Sequence, residues 1–515
     1  MTEAVPLVSL VLDLDDGSRE QVQRSIASVS SQALTSWELV LHGEGAESVA
    51  AHAEDPRVRA LPGSGPTRHR ALEALRSARG EFTAFLAAGE ELAGSAVLDT
   101  VARLVEATPD VDLVYGDEVV VDEHGTPIET VLKPAWSPER LLAQPWVGRL
   151  AFLRSSLALE VCGDEDLLEA WEWDLLLRVS GRLRRVERVP VILLRSRRAG
   201  QVTSDDGVAV VRGHLRRSGV AAEVTAGTVE GTCHAARTVP DDLSVTLVIA
   251  SRGERGLAWG ERRWFAVEAV RSFLRHAGRA RVEVVVVHTS PIEQALLDAL
   301  LALDEGVRLL PYADVFCPPD MANLGVLSSS TDAVVVMDER TEVVSDGFLA
   351  ELLGPLTDEG VGLTAPRMLA ANGTLVDAGL AFHQHRARPT FAGRLAADPG
   401  PDGLLTLSHE CSGLGRACLA MRRATFDLAG GLSPQLTVSY NVDLSFKLRH
   451  LGLRRVWVPS ATAYSLGSHH RSALVPKAER LAVRRRWTAP DLDDYLPSSG
   501  AWSAARDRVR LPGRA

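Results

Sequence analysis

Cysteine is scarce in this chain of 515 residues, which contains only five. The five are odd in number, and no two of them are spaced as a C-x-x-C pair. This pattern supports neither a disulfide framework nor a zinc ribbon. A reducing compartment is therefore expected.

Positive charge is in deficit as well. The chain has 56 Lys and Arg against 67 Asp and Glu, for a net charge of −11, and only Lys133, Lys447 and Lys477 are lysine. Proteins that bind nucleic acid through a basic surface show the opposite excess. We therefore expect no nucleic-acid partner.

Long apolar runs are missing. No run reaches the roughly 18 apolar residues that a membrane span requires. The N-terminal residues M-T-E-A-V-P carry no positive charge ahead of an apolar region, unlike a signal peptide. The sequence predicts a cytoplasmic protein with no membrane span, and it leaves open peripheral attachment to the inner face of the membrane.

The most informative stretch that is present is Thr331–Val343. Within it, Ala333–Met337 is a short β-branched apolar run, typical of a strand buried on both faces of a parallel sheet. The run ends abruptly in Asp338, Glu339 and Arg340. In open α/β sheets ligands bind beyond the carboxyl ends of the strands, so these residues mark a candidate site.

The same order of strands occurs twice along the chain. The predicted strands are Leu7–Leu12, Trp37–Leu41 and Phe82–Leu86 in the first half and Val245–Ile249, Val282–Val287 and Ala333–Met337 in the second. Amphipathic helical segments separate them, a pattern that indicates parallel βαβ units. The fold class predicted is α/β, with mainly parallel sheets, in a duplicated domain.

The predicted boundaries follow from composition. We expect a first domain over residues 1–203, a linker over 204–242, a second domain over 243–475, and a C-terminal helix and tail over 476–515. Ser204 is predicted to cap a connecting helix over residues 208–217. A basic helix is expected over residues 477–487.

Each half of the chain carries its own series of motifs, three in the first half and six in the second. They are D-V-D-L-V-Y-G-D-E at Asp110–Glu118, L-K-P-A-W-S-P-E-R-L-L at Leu132–Leu142, E-W-D-L-L-L-R at Glu172–Arg178, A-N-L-G at Ala322–Gly325, D-E-R-T-E-V at Asp338–Val343, A-C-L-A-M-R-R at Ala417–Arg423, A-G-G-L at Ala429–Leu432, N-V-D-L at Asn441–Leu444 and H-H-R at His469–Arg471. Together they resemble tandem family 2 glycosyltransferases of the rhamnosyltransferase type. The resemblance implies two GT-A domains, which are Rossmann-like folds that bind a nucleotide-diphospho-sugar.

The resemblance also implies a chemistry. A divalent cation, Mn²⁺ or Mg²⁺, held by an Asp-x-Asp at the end of the central strand neutralises the leaving diphosphate. A carboxylate deprotonates the acceptor hydroxyl. In the first half Ala87 and Gly89 occupy the Asp-x-Asp positions, so this domain is degenerate. Glu172 and Asp174 keep carboxylates in its base motif and remain catalytic candidates.

In the second half Arg340 falls on the metal-binding aspartate, and a guanidinium repels a cation. Metal ligands are thus largely missing, with Asp338 the one that remains. Asn441 falls on the expected catalytic base, and Asp443 follows two residues later. By the same resemblance, donor binding is assigned to His288, Asp338, Glu339, Arg340, Arg416, His469, His470 and Arg471.

Two functions stay open at this point. In the first, Arg340 and Arg416 replace the cation, and Asp338, Glu339 or Asp443 acts as base. The protein is then a metal-independent hexosyltransferase acting on a glycan acceptor in bacterial surface polysaccharide assembly. In the second, it is a pseudo-glycosyltransferase that serves as scaffold, regulator or glycan-binding partner of an active transferase. A dinucleotide enzyme is disfavoured, because G-L-G-R-A-C at residues 413–418 lacks the third glycine of that fingerprint.

Overall fold

The structure is a computed structural model that describes residues 5–496 apart from 16, 54, 62, 64, 164, 198–201, 384–385, 467–474 and 489–492. The chain divides into two compact units. Unit 1 comprises residues 1–219 with 224–234, and unit 2 comprises residues 220–223 with 235–515.

Unit 1 alternates strands with helices over most of its length. Its elements are β1 (Val8–Asp13), α1 (Arg19–Ser30), β2 (Trp37–His42), α2 (Ala46–Ala51), β3 (Val58–Ala60), α3 (Thr67–Ser77), β4 (Phe82–Ala87), β5 (Glu91–Leu92), α4 (Val97–Ala107), β6 (Leu113–Val121), β7 (Pro127–Val131), α5 (Pro138–Ala143), β8 (Ala151–Arg154), α6 (Ser155–Cys162), α7 (Trp171–Ser180), β9 (Val186–Arg197) and α8 (Ser204–Arg217). Helix α8 is capped by Thr203, whose side chain accepts from the amide of Asp206. It therefore starts four residues before the predicted segment, and Ser204 is its first residue rather than its cap.

The sheet of unit 1 runs in the order β3-β2-β1-β4-β8-β6-β9-β5, with β7 beside β6. Strands β3, β2, β1 and β4 are parallel to one another, and β8 is antiparallel to both of its neighbours, β4 and β6. The apolar runs predicted from the sequence form its core, in which Trp37, Phe82 and Phe152 are almost completely buried.

A two-stranded sheet of β10 (Ala222–Ala226) and β11 (Cys233–Arg237) precedes the second large sheet. The later elements are β12 (Ser244–Ser251), β13 (Arg255–Ala258), β14 (Glu261–Trp264), α9 (Phe265–Arg275), β15 (Arg281–Thr289), α10 (Gln294–Leu301), β16 (Val307–Tyr312), α11 (Pro318–Leu327), β17 (Ala333–Asp338), β18 (Thr341–Val343), α12 (Phe348–Leu353), a 3₁₀ turn (Gly354–Thr357), β19 (Val361–Ala370), β20 (Leu375–Asp377), β21 (Leu380–His383), β22 (Arg386–Pro389), a second 3₁₀ turn (Pro401–Thr406), β23 (His409–Glu410), β24 (Cys418–Arg422), α13 (Arg423–Leu428), α14 (Tyr440–His450), β25 (Arg454–Ser465) and α15 (Lys477–Arg486).

The sheet of unit 2 repeats the order of unit 1. It runs β16-β15-β12-β17-β24-β19-β25-β18, with β24 antiparallel between β17 and β19. Position by position this is the unit 1 order, including the parallel pair β19 and β25 that corresponds to β6 and β9. The predicted fold class, α/β with mainly parallel sheets in a duplicated domain, is confirmed.

The predicted strand Ala333–Met337 lies at the centre of the second sheet as part of β17. Its five apolar residues are buried, because β12 pairs with one edge and β24 with the other while helices cover both faces. The strand includes one more residue, Asp338, whose amide donates to the carbonyl of Ala417 at 2.8 Å. Among the described residues, none of the helices has the length and apolarity that a membrane crossing requires.

Candidate functional site

The carboxyl ends of three parallel strands of unit 2 meet at one edge of the sheet. Ser251 at the end of β12 is in register with His288 on β15, and the preceding Ala250 is in register with Asp338 on β17. His288 is buried, and its Nδ1 lies 3.2 Å from the carbonyl oxygen of Thr289. The sheet therefore brings His288 to the same edge as Asp338, Glu339 and Arg340.

Arg340 is held in a bidentate ion pair. Its Nε and Nη2 each donate to a carboxylate oxygen of Glu254 at 2.7 Å. Its Nη1 lies 3.9 Å from Oδ1 of Asp338, which also accepts from the Arg340 amide at 2.9 Å. This parallel two-bond geometry is the strongest that guanidinium and carboxylate form. The fork of Arg340 is thus committed to Glu254.

Glu339 is the buried acid of the cluster, with 4% of its surface exposed. It accepts from the Ser251 hydroxyl at 2.5 Å and from the Arg252 amide at 3.4 Å. Burial raises the pKa of Glu339 to about 7, since desolvation outweighs the Ser251 hydrogen bond and the negative charge of Asp338 adds to the effect. Near neutral pH the protonated and the ionised forms of Glu339 are therefore both populated.

A divalent cation does not fit this strand end. The one ligand that the motif keeps is Asp338, whose side chain is 41% exposed, and the Arg340 guanidinium lies within 4 Å of its carboxylate. A guanidinium offers no lone pair and repels an ion at that distance. Among the described residues, no group of three or more His, Cys, Asp and Glu side chains is arranged to hold a metal. Arg340 itself supplies the positive charge of the cluster.

The loop between β23 and β24 carries a second arginine. Arg416 is exposed, and its Nη1 makes a weak hydrogen bond of 3.4 Å with the carbonyl of Val438. The Tyr440 hydroxyl donates to the Arg416 carbonyl at 3.3 Å. Burial raises the pKa of Tyr440, while the charge of Arg416 lowers it and that of Asp338 raises it. The carbonyl of Ala417, the residue after Arg416, accepts from the Asp338 amide at 2.8 Å, so the Arg416 loop lies at the same strand end as Asp338.

Asn441, which the resemblance placed at the catalytic-base position, makes a structural contact. It is buried in the first turn of α14, and its Nδ2 donates to the carbonyl of Leu414 at 2.7 Å. The bond anchors the loop that carries Arg416. A carboxamide has no basic site that could accept a proton near neutral pH.

Asp443 lies in the same helix, completely buried. Its oxygens accept from the Ser433 hydroxyl at 2.6 Å, from Arg486 Nη1 at 2.9 Å and from Trp487 Nε1 at 2.8 Å. These three hydrogen bonds and the Lys447 charge hold the pKa of Asp443 below its usual range, although burial opposes them. Through Arg486, Asp443 ties α14 to the C-terminal helix α15.

One acidic residue of the site was not predicted from the sequence. Asp377 ends β20, is 8% exposed, and accepts from the Gly379 amide at 3.0 Å. A side chain on Gly415 would meet its Oδ2 at 2.5 Å, so the carboxylate lies directly against the Arg416 loop. Burial raises the pKa of Asp377 to about 6, against the effects of that hydrogen bond and of Arg416. No local pattern distinguishes V-D-A-G from an ordinary turn, so only the fold reveals it.

At the corresponding edge of the unit 1 sheet, the charged side chains pair with one another. Arg149 bonds Glu172 through Nε at 3.0 Å and Nη2 at 2.9 Å, and its Nη1 lies 3.7 Å from the buried Glu90. Burial raises the pKa of Glu90, although Arg149 lowers it. The Arg197 side chain lies over Gly89, where an added Cβ would meet it at 2.8 Å. Arginine thus stands against the degenerate Asp-x-Asp position here too, though it comes from β9.

Asp174 of unit 1 is the counterpart of Asp443. It is completely buried, and its oxygens accept from Arg178 at 2.8 Å and Arg217 at 2.7 Å and from the Leu168 amide at 3.1 Å. In each unit this aspartate holds helices together. The predicted donor-binding residues His469, His470 and Arg471 lie outside the described residues.

No family model matches the chain. It is 26% identical over 542 residues to the Uncharacterized protein y4gI of Sinorhizobium fredii (strain NBRC 101917 / NGR234), which covers 96% of this chain and 57% of that protein. It is 27% identical over 534 residues to the O-antigen biosynthesis protein RfbC of Myxococcus xanthus, covering 95% of this chain and 40% of that protein. The chain spans about half the length of these curated relatives.

Two solved structures are similar to parts of the chain. GalNAc-T7 with UDP, GalNAc and Mn²⁺ has a TM-score of 0.36 and 16% identity, covering 46% of each chain. S. aureus TarS 1–349 in complex with UDP-GlcNAc has a TM-score of 0.33 and 16% identity, covering 41% of this chain and 65% of that chain.

Proposed function

We propose that this glycosyltransferase-like chain of two tandem GT-A domains acts in bacterial surface polysaccharide assembly. In this proposal unit 2 binds a nucleotide-diphospho-sugar without a divalent cation and transfers the sugar to a glycan acceptor. The name of the Myxococcus relative, an O-antigen biosynthesis protein, supports the setting. The fixed guanidinium at the end of β17 supports the metal independence.

One observation carries the proposal: the different states of the two arginines. Arg340 is saturated by Glu254 and keeps the cluster of Asp338 and Glu339 compact. Arg416 is exposed on the facing loop, and its guanidinium retains donors for a ligand. A guanidinium matches two phosphate oxygens at once. We therefore assign the contact with the donor diphosphate to Arg416, and to Arg340 the role of the internal cation that a metal fills elsewhere.

The proton acceptor in this proposal is Asp377. A general base is most efficient when its pKa is close to the working pH, and burial gives Asp377 a pKa of about 6. Asp443 is already engaged by three donors, and Asn441 has no basic site. The acceptor hydroxyl would lose its proton to Asp377 while its oxygen attacks the anomeric carbon. The nucleoside diphosphate would leave toward Arg416.

A second function is favoured by a specific observation. The base position holds Asn441, bonded to the backbone, and the equivalent position in unit 1 holds Glu172, paired with Arg149. In both units the side chain at the base position is thus engaged in a contact within the protein. This favours a pseudo-glycosyltransferase, which would bind a glycan or a transferase without catalysing transfer. The two functions share donor-site geometry and differ in chemistry.

A turnover assay separates them. The protein is incubated with UDP-, GDP- and dTDP-sugars and a polysaccharide acceptor preparation, with Mn²⁺ or with EDTA, and the released nucleoside diphosphate is measured. Transfer that persists in EDTA and is lost in Arg416→Ala supports the enzyme. The matched control is Arg423→Ala, whose guanidinium bonds Asp427 and the backbone of α11. No release from any donor, with an active transferase co-purifying from the native cytoplasm, supports the partner function instead.

A further inference from the structure

An exposed tryptophan stands beside the candidate site on a short β-hairpin. Strands β13 and β14 are joined by a two-residue turn, because Ala258 pairs with Glu261 and only Trp259 and Gly260 lie between them. Trp259 is 47% exposed. Aromatic side chains of this size are usually buried, so this one calls for an explanation.

The turn is an unfavourable place for a tryptophan. Trp259 has φ of +53° and Gly260 has φ of +86°. Two-residue hairpin turns with positive φ at both positions favour Asn-Gly, since a bulky side chain is strained there. The chain keeps the indole where asparagine would be easier to accommodate. Backbone strain at an exposed residue is typical of functional sites.

The indole is also held in a fixed orientation. Its Nε1 donates to Oε2 of Glu342 at 2.6 Å, and its ring meets Tyr464 edge to face, with centroids 5.1 Å apart. Glu342 and Tyr464 are themselves paired across β18 and β25. Below the turn, Ala258 packs into a small apolar cluster with Phe265 and Leu466. The hairpin thus presents a rigid aromatic face with a carboxylate at its rim.

The hairpin is tied directly to the arginine clamp. Glu254, which binds Arg340, immediately precedes β13, and its carbonyl accepts from the Phe265 amide at 3.1 Å, closing the base of the hairpin. Leu466, under the turn, donates to the Arg340 carbonyl at 2.7 Å. The aromatic face is therefore continuous with the strand end at which the donor site is proposed.

From this geometry we infer that Trp259 is a stacking platform for a pyranose ring of the glycan acceptor. A pyranose has an apolar C–H face that covers an indole and a rim of hydroxyls that hydrogen-bond a carboxylate such as Glu342. A fixed indole binds such a ring with little loss of conformational freedom. The inference extends the proposed function by naming a contact for the acceptor. The identification of the bound sugar as the acceptor rests on that function, whereas the stacking of a sugar on Trp259 does not.

The test is saturation-transfer difference NMR with methyl glycosides of gluco-, galacto-, manno- and rhamnopyranose, and separately with UDP, GDP and dTDP. We expect ring C–H signals from at least one glycoside. Trp259→Asn, which suits the turn, should keep the melting temperature and weaken glycoside binding about tenfold. Trp259→Phe should retain most of the binding. Leu257→Ser, a change at a 75% exposed residue of the same hairpin, should leave it unchanged.

A second measurement follows the Trp259 indole in the wild-type protein and so does not require Trp259→Asn to fold. In wild-type protein labelled with ¹⁵N-tryptophan, the indole resonance that is missing in Trp259→Phe should shift on addition of the bound glycoside. Absence of glycoside signals, full binding by Trp259→Asn, or loss of nucleotide rather than glycoside signals would each overturn the inference. Trp259-dependent glycoside binding without nucleotide binding would uphold it while the donor proposal fails.

Discussion

Replacing Arg340 tests whether this side chain holds the acidic cluster together. In Arg340→Ala the carboxylates of Glu254, Asp338 and Glu339 lose their shared cation, and Glu254 loses two hydrogen bonds of 2.7 Å. The variant should be less stable than the wild type. The instability should grow as the pH rises and more of the cluster ionises.

The structure sets the size of the effect. Hydrogen bonds to charged groups contribute roughly 1.5–3 kcal/mol each when buried. The side chains of Arg340 and Glu254 are 18% and 29% exposed, so solvent screens part of this value. We expect a loss of about 2 kcal/mol in the free energy of unfolding. In a unit of this size that corresponds to a fall of about 4–8 °C in melting temperature.

Arg340→Asp sharpens the test, because it restores the spacing of an Asp-x-Asp pair. Without metal this variant should be less stable than Arg340→Ala, since another carboxylate joins the cluster. With Mn²⁺ at about 100 times its dissociation constant it should regain about 2.7 kcal/mol. Differential scanning fluorimetry in EDTA and in Mn²⁺ measures both effects.

The control is Arg271→Ala, which removes an exposed arginine from a helix surface and leaves its partner Glu268 paired with Arg263, so stability should change by less than about 0.5 kcal/mol. The wild type should show no more stabilisation by Mn²⁺ than by Mg²⁺. If Mn²⁺ stabilises the wild type as strongly as Arg340→Asp, Arg340 does not stand in for an ion and the reasoning is refuted.

Three further predictions concern the carboxyls of unit 2. The pKa of Glu339 is raised from 4.5 to about 7, so the folded protein binds this proton more tightly than the unfolded protein does. The free energy of unfolding should therefore fall by about 3 kcal/mol as the pH rises from about 4.5 to 7. Glu339→Gln should flatten this dependence in denaturant titrations, and an unchanged slope would contradict it. Asp377→Asn should lower kcat/KM at least about a hundredfold without lowering the melting temperature, and the wild-type profile should lose activity below about pH 6; a variant with normal turnover would remove Asp377 from the mechanism. Asp443→Asn should lower the unfolding free energy by about 3 kcal/mol, because it weakens the buried contacts to Ser433 and Arg486, while the folded fraction binds donor normally. Loss of binding at unchanged stability would return Asp443 to a direct role.

The architecture was predictable because buried strands have a local signature, a short run of apolar and β-branched residues. The run Ala333–Met337 is apolar and β-branched, and it forms the central strand with one added residue. The repeated order of such runs sufficed to predict two sheets of the same kind. Boundaries were less accurate where a cap decided them: α8 begins at Ser204 because Thr203 caps it, rather than at residue 208.

Other parts of the site depend on contacts between residues distant in sequence. Arg340 and Glu254 are 86 positions apart, so nothing in D-E-R-T-E-V indicates that the arginine is already paired. Asp377 becomes notable only because the fold buries it against the Arg416 loop. Likewise, the sequence places Trp259 next to Gly260 but does not show that the pair forms a hairpin turn with the indole exposed.

The central claim is that arginine, rather than a metal ion, faces the diphosphate of a sugar nucleotide in unit 2. Calorimetric titration with UDP-, GDP- and dTDP-sugars, performed once in EDTA and once in Mn²⁺, tests it most directly. The account predicts that at least one donor binds with the same Kd in both buffers and about tenfold or more weakly to Arg416→Ala. Binding that requires Mn²⁺, or that Arg416→Ala leaves unchanged, would contradict it.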